Sequence, residues 1–308
     1  MKITRLSSKE YFQTFPAPQH AFNSARFLGL NSRKVSEVIY LCIADSKPRL
    51  GLSIGQLDDG SLLAPFSAPF SGFDFNRRQS AETMLEAAQA LRAEVPGLKL
   101  TLPPAIYAPD MNSRTLLALI AAGAKIDYSD WNFHIPLSPR PNDYLETLSS
   151  DSRKKLKKAL RSPFHTLKIN NDPQRAYRII QANRQQHGYP LRMTLDDVIA
   201  TTGGPTPVIE ADFFVLTDGS TDVAAAMVYN VCPGIRQVVY WGDDSSVQNL
   251  CPTPVNLLAL NLVNHYGNLG DSTLDIGPSS SGGILSPGLC KFKDSIGCQI
   301  TPKHTITL

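Results

Sequence analysis

Val223-Ala224-Ala225-Ala226-Met227-Val228-Tyr229-Asn230-Val231, then Cys232-Pro233-Gly234, then Ile235-Arg236-Gln237-Val238-Val239-Tyr240-Trp241-Gly242-Asp243: two apolar runs meet at a Pro-Gly turn. Each run has strand length and is bounded by turn residues, so the pair reads as a β-hairpin. A helix follows at Pro254–Tyr266, where Val255, Leu258, Ala259, Leu262, Val263 and Tyr266 share one stripe. Gly267 or Gly270 ends it. Next come a short strand, Thr273–Ile276, and the small-residue loop Gly277-Pro278-Ser279-Ser280-Ser281-Gly282-Gly283. A short helix at Leu289–Ile296 and a final strand close the chain.

Upstream of the hairpin, Phe213–Leu216 reads as a third strand. Helix Gln174–Gln185 and a helix start at Thr194, with Asp197 three residues on, precede it. The N-terminal half has the same grammar. Strands at Val38–Ile43, Leu50–Ile54 and Leu62–Phe66 lead to a helix at Ala81–Glu94, whose Met84, Leu85, Ala88 and Leu91 share a face. Strand Lys99–Leu102, helix Ser113–Ala122 and strand Trp131–Leu137 follow. Both halves therefore run strand–strand–strand–helix–strand–helix–strand. The inference is two decayed copies of one α/β unit, at residues 1–140 and 166–308, joined by a basic linker helix at 141–165. Pro139, Pro141 and Asn142 punctuate the boundary.

A length of 308 residues suits two domains of ordinary size. Hydrophobic content of 42% against 19% charged excludes a disordered chain. The net charge is only +3, so electrostatic arguments must be local, and nothing points to DNA. No apolar run reaches the length of a membrane span. The N-terminus, Met1-Lys2-Ile3-Thr4-Arg5, lacks an apolar signal-peptide core, and a cytoplasmic protein is expected. The 5 cysteines include no CxxC pair, which reads as reduced thiols with no metal site.

The sharpest local charge is Arg153-Lys154-Lys155-Leu156-Lys157-Lys158-Ala159-Leu160-Arg161. On a helix Lys154, Lys157, Lys158 and Arg161 share a face, with Leu156 and Leu160 elsewhere. That face is either a clamp for a phosphorylated donor or an RNA acceptor stem, or a solvated surface. The Gly277–Gly283 loop is either an ordinary turn or an anion nest built of backbone N–H groups, with Ser279 and Ser280 as added donors. No Ser-His-Asp order, HExxH, P-loop or GxGxxG is present, which leaves hydrolase, zinc-protease and nucleotide-fold readings weak.

Several local words, in this order and spacing, resemble the FemABX-like branch of the GNAT acyltransferase superfamily. They are Ala176–Arg184 with Gly188-Tyr189-Pro190, Ala224–Tyr229, Tyr240-Trp241-Gly242-Asp243, Leu274–Ser279 and Gly288–Lys293. The resemblance spans nearly the whole chain. It implies two tandem GNAT-like domains, each a mixed, mostly antiparallel sheet flanked by helices. It also implies a sheet splayed between its fourth and fifth strands, here Arg236–Trp241 and Thr273–Ile276, parting after Trp241. One departure stands out. The stretch Gly242–Thr253 has one glycine and two carboxylates where GNATs carry R/Q-x-x-G-x-G/A. Close approach to pyrophosphate needs glycine, so the departure argues against coenzyme A held in the usual manner. FemABX members that transfer amino acids from aminoacyl-tRNA are the natural comparison.

The activity implied is direct transfer of an acyl or aminoacyl group to an amine or hydroxyl, in the C-terminal domain. The donor would be acyl-CoA, another carrier-bound acyl group or aminoacyl-tRNA, with no tightly bound cofactor. The N-terminal copy would be structural or regulatory. Asp275 would be the base, or else a structural acceptor pinning the splayed strands. Lys291 or Lys293 would stabilise the oxyanion, or else lie on the surface. Arg184, Tyr189, Tyr240, Trp241, Asp243, Gly277, Ser279, Ser280 and Lys293 would contact substrate. The alternative is a non-catalytic binding or scaffold protein that keeps the fold.

Overall fold

The computed structural model describes residues 1–138, 144–247 and 249–308. Pro139, Pro141 and Asn142 of the expected boundary, and Gln248 in the loop ahead of the long helix, lie outside the described residues. The first elements in chain order are β1 (Lys2–Leu6), α1 (Ser8–Thr14), α2 (Ala25–Asn31), β2 (Glu37–Ala44), β3 (Pro48–Gln56) and β4 (Leu62–Ala64). Then come α3 (Ala81–Glu94), β5 (Lys99–Thr101), α4 (Pro109–Ala121) and β6 (Lys125–Pro136). Next are α5 (Tyr144–Thr147), α6 (Ser150–Ala159), β7 (His165–Lys168), α7 (Pro173–Gln186), α8 (Leu195–Thr202) and β8 (Ala211–Thr217). The chain ends with β9 (Asp222–Cys232), β10 (Ile235–Asp243), α9 (Pro254–Asn268), β11 (Thr273–Pro278), β12 (Ser280–Ser281), β13 (Ile284–Leu285), α10 (Pro287–Ser295) and β14 (Gln299–Thr307).

Two compact units form. One holds residues 1–131, 280–284 and 301–308; the other holds 132–279 and 285–300. In the first unit the strands lie in the order β1-β2-β3-β4-β5-β14, followed by the first half of β6. Only the β4–β5 pairing is parallel among the registers from β1 to β14. In the second unit the order is β7-β8-β9-β10-β11, followed by the second half of β6. There only β10–β11 is parallel. Each unit therefore repeats one pattern, and each takes its sixth strand from the far end of the other copy's stretch of chain. This exchange moves the division from the expected residue 140 to Trp131/Asn132 and returns residues 301–308 to the first unit. The basic helix is not a linker: Leu156 and Ala159 of α6 are fully buried in the second unit's core.

Local chemistry explains the elements. Ser80 caps α3 by accepting from the Thr83 N–H, and Met84, Ala87, Ala88 and Leu91 form its buried stripe. Pro254 opens α9, where no intrahelical N–H is needed, and Leu258, Leu262 and Tyr266 fill the core beneath it. The short elements β1, α1, α2 and β7 were not expected, because each has too few apolar positions to show a period. α1 is fixed instead by a capping box between Ser7 and Glu10, and by buried Tyr11.

Tyr11 leads to a polar centre inside the first unit. Its hydroxyl donates to Asp74 Oδ2 at 2.8 Å, while Asn23 Nδ2 and the Gln19 N–H donate to Oδ1 at 3.1 and 3.2 Å. Burial pushes the Asp74 carboxyl up to about 6. A raised carboxyl in the folded state holds its proton more tightly than the unfolded chain does. Its stabilising effect is complete below the unfolded value of 3.8 and is lost as pH rises through about 6. The urea midpoint of the wild type, minus that of Asp74→Asn, should therefore grow as pH falls through this window. A pH-independent difference would refute the assignment.

Candidate functional site

β10 and β11 run side by side for a short distance only. Ile235, Arg236 and Gln237 pair with Thr273, Leu274 and Asp275, and the ladder stops there. β10 continues, paired to β9, as far as Asp243. The strands therefore part after Gln237, earlier than the Trp241 expected from the sequence. The opening lies beside the C-terminal end of β11, in the second unit.

Asp275 sits at the last paired position with no exposed surface. Its Oδ1 accepts from Asn132 Nδ2 at 2.8 Å and from the Gly277 N–H at 2.9 Å. Its Oδ2 accepts from Gln237 Nε2 at 2.9 Å. These donors come from β6, β11 and β10, so one carboxylate ties three strands together at the fork. His134 faces Asp275 across the β6–β11 pairing and is buried, with Nδ1 unpartnered. Burial pushes its imidazole down, against the pull of Asp275, which keeps it neutral at neutral pH.

Lys293 of α10 reaches the same fork. Its Nζ donates to the Ile276, Gly277 and Pro278 carbonyls at 3.2, 2.8 and 3.0 Å and lies 5.3 Å from the Phe133 ring centre. Only 4% of the residue is exposed, and burial pushes its ammonium down to about 8. Lys291, two residues earlier, points to solvent. The two lysines therefore stand differently: Lys291 is out in water, and Lys293 spends its N–H groups on main-chain carbonyls.

On the other side of the opening stands Arg184, near the end of α7. Pro173 starts α7 behind an Asp172 cap, and Ala176, Tyr177, Ile179 and Ile180 bury its inner face. The Arg184 guanidinium carbon lies 5.2 Å from the Tyr240 ring centre and 5.8 Å from that of Tyr189. Its Nε is buried and unpartnered, and no carboxylate pairs with it among the described residues. Burial pushes its guanidinium down, with Tyr240 and Tyr189 opposing. Neighbouring Asn183 donates from Nδ2 to the Asp243 carbonyl at 2.9 Å and to Asp243 Oδ1 at 3.0 Å. A Cβ on Gly242 would lie 2.5 Å from Asn183 Cγ, so the glycine serves this close approach. Trp241 turns to the opposite face and meets Phe292 edge-on at 5.9 Å.

The Gly277–Gly283 loop is no open nest. Gly277 takes a positive φ of 75° where its N–H turns back to Asp275. In the first unit, Ser280 Oγ and the Gly283 N–H both donate to Asp130 Oδ1, at 2.7 and 3.1 Å. The chain's own carboxylate thus takes the donors expected to hold a substrate anion, and β12 and β13 pair as a hairpin. Ser279 is buried, with an unpartnered hydroxyl. Lys154, Lys157, Lys158 and Arg161 are exposed on and just beyond α6. No group of residues suited to a metal ion occurs among the described residues.

Sequence reasoning missed Asn132, His134, Gln237 and Asn183. One signal was present: Asn132 and His134 alternate with Phe133 and Ile135 along the buried second half of β6.

No family model and no curated protein matches the chain. Solved structures do. FemX aligns over 100% of this chain and 98% of its own, at 10% identity and a TM-score of 0.68. A conserved protein of unknown function from Bacteroides thetaiotaomicron covers 100% and 99%, at 11% identity and 0.59. The C-terminal domain of a putative lysylphosphatidylglycerol synthetase from Agrobacterium fabrum covers 98% and 92%, at 10% identity and 0.57. The chain has the fold of FemX over its whole length.

Two outcomes test the fork. Asp275→Ala leaves buried donors on three strands without an acceptor, and should lower unfolding free energy by about 2–4 kcal/mol in urea titrations. An effect within experimental error would show that the fork does not depend on the carboxylate. Lys293 has a depressed ammonium, so its contribution is full above 10.5 and is lost as pH falls through about 8. Wild-type stability relative to Lys293→Met should therefore rise with pH across that window, and a flat difference would count against it.

Proposed function

We propose that the chain transfers an acyl or aminoacyl group from an activated ester to an amine or hydroxyl, by direct attack, at the opening between β10 and β11. The fold shared with FemX supports acyl transfer. The observation that supports the place best is the end of the ladder: β10 runs on past Gln237 with its β11-facing edge unpaired. An extended acyl donor can hydrogen-bond along that edge as an added strand would.

Beside this edge lies a half-buried cation without a carboxylate. Arg184 is the group we assign to an anionic part of the substrate, held in place by the Tyr240 and Tyr189 rings. Asp275 and Lys293 are positioning residues in this reading. Their hydrogen-bonding atoms are engaged within the fork, so neither is assigned to proton transfer. The nucleophile attacks the carbonyl carbon, the bond to the leaving oxygen breaks, and the nucleophile's proton leaves with that oxygen. The chain contributes orientation and a fixed field.

The donor is better read as an aminoacyl ester, such as aminoacyl-tRNA, than as a coenzyme A thioester. Pro254 at the first position of α9 has no N–H, and the Asn256 N–H already donates to the Thr253 carbonyl at 3.1 Å. Gly242, the one glycine ahead of α9, is occupied by Asn183. Little is left there to cradle a pyrophosphate.

The test is donor consumption with a panel of amine and hydroxyl acceptors: release of tRNA from its aminoacyl ester, and of thiol from acetyl-CoA. The ester should be consumed and the thioester spared. Arg184→Ala should lower kcat/KM by about ten- to a hundred-fold, with Arg184→Lys retaining part of the activity. If the folded wild type neither binds nor consumes either donor, the scaffold reading replaces this one.

A further inference from the structure

α6 carries a surface that the transfer site does not use. Ser152, Leu156 and Ala159 are buried, so the helix is fixed to the second unit by one stripe. The opposite side presents Lys154, Lys157 and Lys158, with Arg161 just beyond the helix, all exposed. None of the four has an ion pair among the described residues. Lys155 is also exposed and meets Asp151 at 3.5 Å. Arg153 is turned back, donating to the Glu146 and Leu148 carbonyls at 3.0 and 3.3 Å.

Two leucines stand out at the same end. Leu160 is 47% exposed, between Lys158 and Arg161, and Leu250 is 50% exposed. Ser162 Oγ lies 4.0 Å from Cys251 Sγ, which brings the loop bearing Leu250 against the C-terminal end of α6. Leu160, off the cation face, and Leu250 thus border the unpaired cations at the C-terminal end of α6.

We propose that this face docks on the surface of an anionic phospholipid bilayer. Such a surface rewards both halves of the chemistry: lysine and arginine heads meet lipid phosphates, and leucines enter the headgroup–acyl boundary. The apolar stripe of α6 is committed to the core, so the helix rests on the membrane through its basic side and does not embed. A nucleic acid would use the cations but not the leucines. No helix among the described residues is long and apolar enough to span a bilayer, so the contact is peripheral.

Co-sedimentation of the whole chain with phosphatidylcholine vesicles, with and without phosphatidylglycerol, tests this. Binding should require phosphatidylglycerol and weaken with salt. Lys154→Glu, Lys157→Glu and Lys158→Glu combined should reduce partitioning by more than about ten-fold. Leu160→Ser with Leu250→Ser should reduce it several-fold at unchanged charge. Circular dichroism confirms that the variants fold. The proposal is overturned if the wild type ignores anionic vesicles, if the leucine variant binds them as the wild type does, or if a structured RNA displaces the chain from them at equal phosphate. The vesicle arms, unlike the RNA arm, involve neither the proposed donor nor acyl transfer, so they succeed or fail independently of the proposed activity.

Discussion

An open sheet inside a protein leaves main-chain groups without partners, and unpartnered buried groups are costly. The second unit solves this at a single fork. Where β10 leaves β11, Asp275 accepts the Gly277 N–H, and Lys293 donates to the carbonyls of Ile276, Gly277 and Pro278. One buried carboxylate and one buried ammonium thus satisfy the β11 side of the opening. Asn132 and Gln237 use the remaining capacity of the carboxylate and bind the neighbouring strands to it. A buried charge is tolerable only when its hydrogen bonds are satisfied, and this arrangement meets that condition. Among the described residues the β10 side receives no such treatment, and the proposed site rests on that asymmetry.

The same reasoning separates the cations. Lys293 is engaged on every N–H it has, whereas Arg184 is held by ring faces and keeps a buried Nε unpartnered. An arginine kept partly out of water without a carboxylate is an unfinished interaction, and an anion would complete it. Arg184 also contributes, after burial and the opposing charges, to the lowering of the Lys293 ammonium, so both cations bear on one region. A negative group arriving there would relieve both.

How much of this was legible in the sequence depends on the range of the interaction. The α3 limits, Ala81–Glu94, were readable because a four-position apolar stripe lies within one segment. The hairpin, α9 and the shared order of the two halves were readable for the same reason. The exchange of sixth strands was not, since β6 and β14 have no local mark of the sheet edge they will join. Asp275 was identified as important, yet its role depends on Asn132, which is 143 positions away in sequence. The lysines were decidable. Lys293 stands four residues after Leu289 and three before Ile296, on the inward stripe of α10, and Lys291 falls off that stripe. The loop at Gly277–Gly283 looked like an anion nest because small residues permit one, but the anion that fills its Ser280 and Gly283 donors is Asp130.

The position of Arg184 depends in turn on its neighbour. A long side chain over a tyrosine ring is well aimed only if the helix beneath it is fixed, and α7 is clamped near its last turn by Asn183. The two hydrogen bonds from Asn183 to Asp243 require the helix to approach β10 so closely that only glycine fits at position 242. Gln186, one turn further along, adds a contact from Ser245 to the same helix. Gly242 and Asp243, which in sequence stand where a phosphate loop would begin, thus anchor the arginine-bearing helix. The residues on which the proposal sets coenzyme A aside are thus the same ones that hold Arg184 beside the open strand edge.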